Sequence, residues 1–161
     1  MVEFGPDYPR TMDAEITLRP AYEDDTSFAR AVHHAAVRDV VVRQFGAWDE
    51  AAQDAFFVDD WDPSKFEIVI FSGVPCGYVR IEQLPSHVEV AELNILPKYQ
   101  RKGIGTRVLR DVISRAEMLR LPVRLQTLRM NDAAKLYRSL GFREIGRTQT
   151  HIKMCREADC D

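Results

Sequence analysis

The spacing of apolar residues changes near Lys65 in this 161-residue chain, and this change limits the fold more than any other feature. Between residues 26 and 62, apolar residues recur every three or four positions, which indicates amphipathic helices. From Phe66 onward they alternate with polar residues or form short continuous runs, which indicates strands. A helical first part followed by a strand-rich second part predicts an α/β domain of mixed sheet type.

The predicted elements occur as a strand, helices, three strands, a helix, a strand, a helix and two strands. The strands are predicted at residues 14–19, 66–71, 77–81, 88–96, 123–127, 142–145 and 148–154. The helices are predicted at residues 26–36, 37–45, 48–61, 103–119 and 131–140. This order predicts an antiparallel meander that leads into a strand–helix–strand crossover, whose two strands should be parallel.

The length fits one domain, with residues 1–13 as a loose lead-in. No apolar run approaches the ~20 residues that a membrane-spanning helix needs. The N-terminus also lacks the basic start and the apolar stretch of a secretory signal. Three cysteines, at positions 76, 155 and 160, lack the spacing of metal ligands. We therefore expect reduced thiols, a cytoplasmic protein, no metal and no membrane partner.

The net charge of −3 conceals two halves of opposite sign. Residues 1–62 carry 14 acidic side chains against 5 Lys and Arg, whereas residues 63–161 carry 11 against 17. The basic half predicts an anionic ligand, and the acidic half predicts a mouth that attracts a cationic one. Because the lysines and arginines are spread over helices and strands without interleaved aromatic residues, nucleic acid is not expected as a partner.

The segment Leu96–Thr106 carries the strongest functional signal. It joins a predicted strand to the N-terminus of an amphipathic helix, where unpaired N–H groups and the helix dipole favour phosphate. Gly103 and Gly105 remove side chains that would keep a ligand away from those groups. A Walker loop does not fit, and a dinucleotide-binding loop would need glycine in place of Val108. Positive charge is added in the same loop by Lys98, Arg101 and Lys102.

The run Gln100-Arg101-Lys102-Gly103-Ile104-Gly105 resembles the Gln/Arg-x-x-Gly-x-Gly/Ala signature of the GNAT superfamily of N-acyltransferases. The preceding Leu93-Asn94-Ile95-Leu96-Pro97 is similar to the family's Leu-x-Ile-x-Pro strand end. Further landmarks of the family are matched in order by Asn131, Tyr137 and Gly141-Phe142. The resemblance covers residues 66–155 and also fits the entry strand at 14–19.

This resemblance implies the GNAT fold for a single domain over residues 1–161: a mostly antiparallel twisted sheet of about seven strands with one parallel pair, flanked by about four or five helices. Residues 26–62 would cover the acceptor, and residues 88–142 would form the acetyl-CoA-binding core. In the family, the signature wraps the pyrophosphate of acetyl-CoA, and backbone N–H groups near Ile95 and Leu96 polarise the thioester carbonyl. The implied cofactor-binding residues are Ile95, Leu96, Gln100, Arg101, Lys102, Gly103, Ile104, Gly105, Thr106 and Asn131.

Tyr137 occupies the position of the family's usual general acid. A phenol with a pKa of about 10 can protonate a departing thiolate whose conjugate acid has a pKa of about 8.5. Glu92, on the strand before the loop, is the candidate base. Regular alternation would place Glu92 on the same face as Val90 and Asn94, whereas a bulge would change its facing.

Three alternatives to Glu92 as the base stay open. Glu92 could form a structural ion pair with Arg80 across the hairpin. Water could carry the proton to bulk solvent. His151 on the last strand, with an unperturbed pKa of about 6.5, is also suited to a base.

The acceptor site is predicted at Arg43, Trp48 and Asp49, which lie in the helical segment that covers the acceptor in the family, together with His151. The sequence therefore predicts an N-acetyltransferase that moves an acetyl group from acetyl-CoA to a primary amine of a small molecule or peptide. The amine would attack directly in a ternary complex. A catalytically weak CoA-binding regulatory or sensor module is the alternative. Because family members are often dimers, a homodimer stays open.

Overall fold

The alternating segments pair into one sheet with helices on both of its faces. In the computed structural model, which describes residues 10–159, the helices are α1 (Thr26–Phe45), α2 (Glu50–Asp60), α3 (Ile104–Met118) and α4 (Ala133–Ser139). The strands are β1 (Arg10–Thr11), β2 (Ile16–Pro20), β3 (Glu67–Phe71), β4 (Val74–Gln83), β5 (Val88–Ile95), β6 (Val123–Leu128), β7 (Arg143–Arg147) and β8 (His151–Arg156). No helix within the described residues is long and apolar enough to cross a membrane.

The strand order is β1-β2-β3-β4-β5-β6-β8-β7, and β5–β6 is the parallel pair. The mixed α/β class and the mostly antiparallel sheet are therefore confirmed. The sheet has eight strands within the described range rather than about seven. The extra strand is β1, where Arg10 pairs with Leu18 inside the segment expected to be a loose lead-in. The rest of that lead-in, residues 1–9, and Cys160 lie outside the described residues.

The two helices predicted at 26–36 and 37–45 form the single helix α1. No glycine or proline interrupts residues 26–45, so hydrogen bonding continues until Gly46, whose φ of 84° ends the helix. Helix α2 then begins after Asp49, whose side chain accepts a hydrogen bond from the Ala52 N–H at 3.0 Å.

The sheet buries apolar side chains on both faces. On one face, Val88 and Val90 pack in a cluster with Val108 and Val112 of α3. On the other face, Phe66, Ile68 and Tyr78 pack with Val32 of α1 and Phe57 of α2. Each helix covers the sheet with its apolar stripe.

Strands β5 and β6 pair only over their first residues. Their register runs from Val88 opposite Val123 to Val90 opposite Leu125, although β5 continues to Ile95 and β6 to Leu128. The C-terminal ends of the two parallel strands are therefore separated. This opening exposes one edge of β5 immediately before the glycine-containing loop.

Candidate active site

The glycine-containing loop leads into the N-terminus of α3, which no side chain caps. Gly103, with a φ of 77°, is the N-cap of α3 and offers no side-chain cap, so the N–H groups of the first helical turn have no partner within the helix. A Cβ built on Gly105 would touch only the Leu93 side chain, at 4.0 Å. The cations Arg101 and Lys102 are exposed beside it. This arrangement suits a phosphate group.

Two side chains fix the shape of this loop. The Gln100 side-chain amide donates a hydrogen bond to the Ile95 carbonyl at 2.8 Å. The guanidinium of Arg107 donates to the carbonyl oxygens of Lys102 and Gly103, at 3.2 and 3.4 Å, and contacts Asp13 at 3.2 Å. Gln100 was predicted as a ligand contact, and here its amide holds the loop. Arg107 was not predicted, because its role depends on loop carbonyls that carry no sequence signal.

The backbone N–H groups of Ile95 and Leu96, both predicted to act at the thioester, point in opposite directions. The Leu96 N–H donates to the Cys76 carbonyl at 2.8 Å and is thus committed to β4. Ile95 and Gly77 are opposite each other in the register, so alternation along the strand directs the Ile95 N–H toward the separated β6 side. Of this pair, Ile95 is the donor that the open edge presents.

A bulge in β5 decides which face Glu92 occupies. Along the β4–β5 ladder, Ile81 lies opposite Val90 but Arg80 lies opposite Glu92, so Ala91 is the extra residue. Val90 packs in the α3 cluster, whereas Glu92 lines a cavity with Tyr78 on the α1–α2 face. The expectation from regular alternation, that Glu92 and Val90 share a face, is therefore wrong, because the bulge shifts the alternation by one residue.

That cavity has a volume of about 510 Å³ and lies between α1, α2, β4, β5 and Gln126 of β6. Its aromatic walls are stacked: the Trp61 ring lies 4.6 Å from the Phe66 ring and 5.6 Å from the Phe57 ring, centroid to centroid. Its carboxylic acids are Asp60, Glu82, Glu89 and Glu92. The basic side chains in its lining are Arg80 and His33. We call this the acidic cavity.

Glu92 is held in a state that resists ionisation. Burial, a hydrogen bond to Asp60 and the negative charge of Asp60 together raise the pKa of Glu92 to about 9, while the positive charge of Arg80 acts in the opposite direction. Arg80 forms its ion pairs with Asp60, at 3.3 Å, and with Glu82. Arg80 therefore lies opposite Glu92 in the ladder, as the ion-pair alternative required, but directs its charge to other carboxylates.

Glu82 and Glu89 face each other directly across β4 and β5. Two like charges at such a position repel each other, and burial raises the pKa of Glu89. His87 offsets part of this charge through a contact of 3.2 Å to Glu89. The acidic cavity is thus a place where a bound cation would relieve repulsion.

Tyr137 and Asn131 lie on the other side of the sheet opening. The Tyr137 ring packs against Phe142, centroid to centroid 6.1 Å, and burial raises the pKa of its hydroxyl. That hydroxyl makes no hydrogen bond to any residue between 10 and 159. The Asn131 side-chain oxygen accepts from the Ala133 N–H at 2.9 Å, so Asn131 helps to start α4, as its sequence position suggested.

Arg43, Trp48, Asp49 and His151 do not line the acidic cavity. Arg43 donates to the Met130 carbonyl at 2.9 Å, and Asp49 caps α2. Trp48 packs against the rings and charges of α1, with Arg38 5.5 Å from its ring centroid. His151 contacts the Thr150 hydroxyl at 2.7 Å, and burial lowers its pKa. Their assignment to the acceptor site stays a prediction. The contacts of Arg43, Trp48 and Asp49 give each of these three side chains a structural role.

The cavity residues that sequence reasoning missed come from three separate elements. Asp60 and Trp61 lie at the end of α2, Tyr78 lies in β4, and Gln126 lies in β6. Tyr78 is almost fully buried, and its hydroxyl accepts a hydrogen bond from the Asn94 side chain at 3.0 Å. A polar tyrosine in an apolar strand was the available signal, but only the fold brings Asp60 to the same place.

One cluster in the described part of the chain has donors that suit a metal ion: His34, Glu50 and Asp54, with donor atoms within 4.8 Å of one another. Arg30 lies 2.7 Å from Asp54 and 3.8 Å from Glu50. Because the guanidinium of Arg30 already offsets the charge of these carboxylates, ion pairing accounts for the cluster.

Comparison with known proteins agrees with this geometry. Residues 53–144 match the family model described as an acetyltransferase (GNAT) domain. The chain is 32% identical over 114 residues to N-alpha-acetyltransferase RimI of Mycobacterium tuberculosis, an alignment that covers 60% of this chain and 70% of that protein. It is 33% identical over 102 residues to an N-alpha-acetyltransferase of Sulfurisphaera tokodaii, covering 56% of this chain and 58% of that protein.

The fold is also found in a solved structure of low sequence identity. The PaiA N-acetyltransferase of Thermoplasma acidophilum, solved with coenzyme A, aligns with a TM-score of 0.71 at 17% identity, covering 88% of this chain and 98% of that one. At this identity the likeness concerns the fold alone.

Proposed function

The chain belongs to the GNAT family of acetyltransferases, and from this premise we propose that it transfers an acetyl group from acetyl-CoA to a primary amine held in the acidic cavity. The observation that carries the proposal is the position of Glu92. A half-buried carboxyl of raised pKa lies in a cavity lined by β5 and β6, and β5 leads into the glycine-containing loop.

Acetyl-CoA supplies a thioester-bound acetyl group, and the residues present fit its phosphates. The free N–H groups at the start of α3 and the small Gly103 and Gly105 would receive the pyrophosphate, with Arg101 and Lys102 beside it. Nothing within 4 Å of a Cβ on Gly103 fills this cradle. Ile104 and Thr106 contribute their backbone N–H groups, and Asn131 lies at the far side of the opening.

Glu92 is the base in this proposal. With its pKa raised to about 9, it accepts a proton from an ammonium group far more readily than an ordinary carboxylate does. The Ile95 N–H at the open edge of β5 stabilises negative charge on the acetyl oxygen. Tyr137 protonates the departing sulfur, and its uncommitted hydroxyl, raised in pKa by burial, keeps its proton at neutral pH.

Direct attack of the amine is favoured over an acetyl-cysteine route. Cys76 is close to the loop in space, since its carbonyl accepts from the Leu96 N–H. Its thiol is fully buried, however, and burial raises its pKa to about 11. A thiol in that state is a poor nucleophile at neutral pH.

The acceptor in this proposal is cationic. Even with Glu92 un-ionised, the three other carboxylic acids, against Arg80 and His33, leave the acidic cavity negative, and its aromatic walls suit an ammonium group as well as an apolar stem. The names of the two curated relatives assign them N-alpha acetylation, so a peptide N-terminus belongs to this class alongside small amines.

The test measures release of free CoA thiol from acetyl-CoA with matched acceptors. We expect turnover of 1,4-diaminobutane and of peptides with a free basic N-terminus, and at least ~10-fold lower kcat/KM for 4-aminobutanoate, whose carboxylate meets the acidic walls. Equal rates for the diamine and the amino acid would overturn the cationic acceptor. Binding of acetyl-CoA without turnover on any amine would overturn catalysis and favour the sensor module.

A further inference from the structure

A second cavity, of about 570 Å³, lies away from the acidic cavity. It is bounded by α4, the C-terminal end of α1, the segment after β6 and the hairpin between β7 and β8. Its charged lining residues are Arg43, Arg129, Asp132, Lys135, Arg138 and Arg147. We call this the basic cavity.

Most of the positive charge in the basic cavity has no acidic partner. Arg43 contacts Asp132 at 3.4 Å, and Arg147 pairs with Glu144 just outside the lining. No carboxylate of residues 10–159 lies within ion-pair distance of the remaining cations, which are Arg129, Lys135 and Arg138. The field of these cations reaches Glu144, whose pKa is lowered first by Arg147 and then by Arg138 and Arg129. An anion in the cavity would relieve the repulsion among them.

The walls of the basic cavity are held in place before any ligand binds. The Gln44 side chain donates to the Thr150 carbonyl at 2.8 Å and accepts from the Met130 N–H at 3.0 Å. The Arg129 N–H donates to the Thr150 carbonyl at 3.0 Å. These bonds tie α1, the segment after β6 and the β7–β8 hairpin together. A ligand would therefore meet a preformed site and lose little affinity to ordering the protein.

We propose that the basic cavity binds a small molecule with two or more phosphate charges while acetyl-CoA is bound elsewhere. Four of its five cations are arginines, whose planar guanidinium groups bind phosphate oxygens in pairs. The volume exceeds what one carboxylate side chain fills, and Met130 and Ile152 add an apolar wall. None of the residues 97–106 lines the cavity, so it is separate from the loop assigned to the pyrophosphate of acetyl-CoA; of the residues assigned to acetyl-CoA, Asn131 alone lies in its lining.

Inorganic pyrophosphate is the probe, titrated calorimetrically into protein already saturated with CoA so that the glycine-containing loop is blocked. We expect one pyrophosphate per chain, with an affinity that falls as salt is added. The double variant Arg129→Gln/Arg138→Gln should bind at least ~10-fold more weakly, since each charge-assisted contact contributes strongly. Both side chains are exposed, so folding should be retained.

The matched control is Arg110→Gln/Lys65→Gln, which removes two exposed charges outside the basic cavity. It should bind pyrophosphate like the natural protein. Lys135→Gln supplies a second, independent variant, expected to weaken binding by a smaller factor.

Four results would overturn the proposal. They are an absence of pyrophosphate binding, competition between pyrophosphate and CoA, equal losses in the test and control variants, and binding of an acidic peptide or an RNA without binding of pyrophosphate. Each outcome is measured without an acyl acceptor, so it is independent of whether the enzyme acetylates amines.

Discussion

The acidic cavity is lined in part by β5, and the glycine-containing loop follows β5 directly. The two regions differ in the burial and the sign of their charged groups. In the acidic cavity, Glu92 and Glu89 are buried enough that their pKa values rise. In the loop, Arg101 and Lys102 are exposed, and the N–H groups of the first turn of α3 have no side-chain cap. Buried charge suits proton transfer because its pKa can be moved toward that of the amine. Exposed charge and free N–H groups suit phosphate, which needs attraction but no proton transfer.

The largest effect is expected from Glu92→Gln, which removes the base while keeping the shape of the side chain. We expect kcat to fall about 1,000-fold, within the range for loss of a general base, with little change in the KM for acetyl-CoA. Steady-state kinetics at fixed pH measures both. Glu89→Gln is the control in the same cavity and should lower kcat far less. If Glu92→Gln keeps a third of the natural kcat, the acidic cavity does not hold the base.

Tyr137→Phe should have the next largest effect. The ring contact with Phe142 is retained and only the hydroxyl is lost, so we expect kcat to fall about 100-fold with an unchanged affinity for acetyl-CoA. Pre-steady-state thiol release, together with a binding titration, separates the two quantities. A fall in affinity with unchanged kcat would make Tyr137 part of the binding surface and not the acid.

Gly105→Ala tests the loop side of the comparison. Since a Cβ there meets only Leu93 at 4.0 Å, the fold should accept it, and alanine should raise the free energy of unfolding by up to about 1 kcal/mol. Because the family signature also accepts alanine at this position, we expect Gly105→Ala to weaken acetyl-CoA binding by less than about 3-fold in calorimetry, whereas the larger side chain of Gly105→Leu should weaken it about 10-fold by filling the space of the phosphate. Gly146→Ala, with open space around its Cβ, is the control. Unchanged affinity in Gly105→Leu would place the phosphates elsewhere.

Asp60→Asn should have the smallest effect and concerns pH. Glu92 must be ionised to act as a base, so the rate rises with pH through its raised pKa. Removing the Asp60 charge lowers that pKa and also frees Arg80 to approach Glu92. We expect the acidic limb of the kcat/KM profile to move about one pH unit lower. Asp59 is the exposed neighbour of Asp60, and Asp59→Asn should leave the acidic limb in place. An equal shift in the two variants would mean that the total charge of the protein, and not the contact with Glu92, moves the limb.

Most of the fold could be predicted because apolar residues recur at regular spacing along most of its helices and strands. The crossover from β5 through α3 to β6 combines strand and helix periods that allow one arrangement. The eighth strand, β1, could not be predicted, because two residues are too short to display any period. The predicted split of α1 between residues 36 and 37 was wrong, because neither glycine nor proline interrupts the segment there.

The parts of the candidate site that depend on local backbone geometry could be predicted from the sequence. The parts that depend on tertiary contacts could not. The phosphate loop follows from two glycines at a strand–helix junction, which is local information. The facing of Glu92 depends on a bulge at Ala91. In the sequence, Val88, Val90 and Glu92 still occupy every second position, so their spacing does not reveal the bulge. Asp60 reaches Glu92 only because α2 packs over β4 and β5, and no spacing along the chain encodes that approach.

The most direct test of Glu92 as the base is the pH dependence of kcat/KM with a peptide acceptor whose free α-amino group has an ordinary pKa of about 8. We predict a rate that still rises near pH 9 in the natural protein, because the ionised form of Glu92, which takes the proton from the attacking nitrogen, increases there, above the pKa of the free acceptor. In Glu92→Gln that upper limb should disappear. A profile that levels off near pH 8 in both proteins would contradict the proposal and assign proton removal to water.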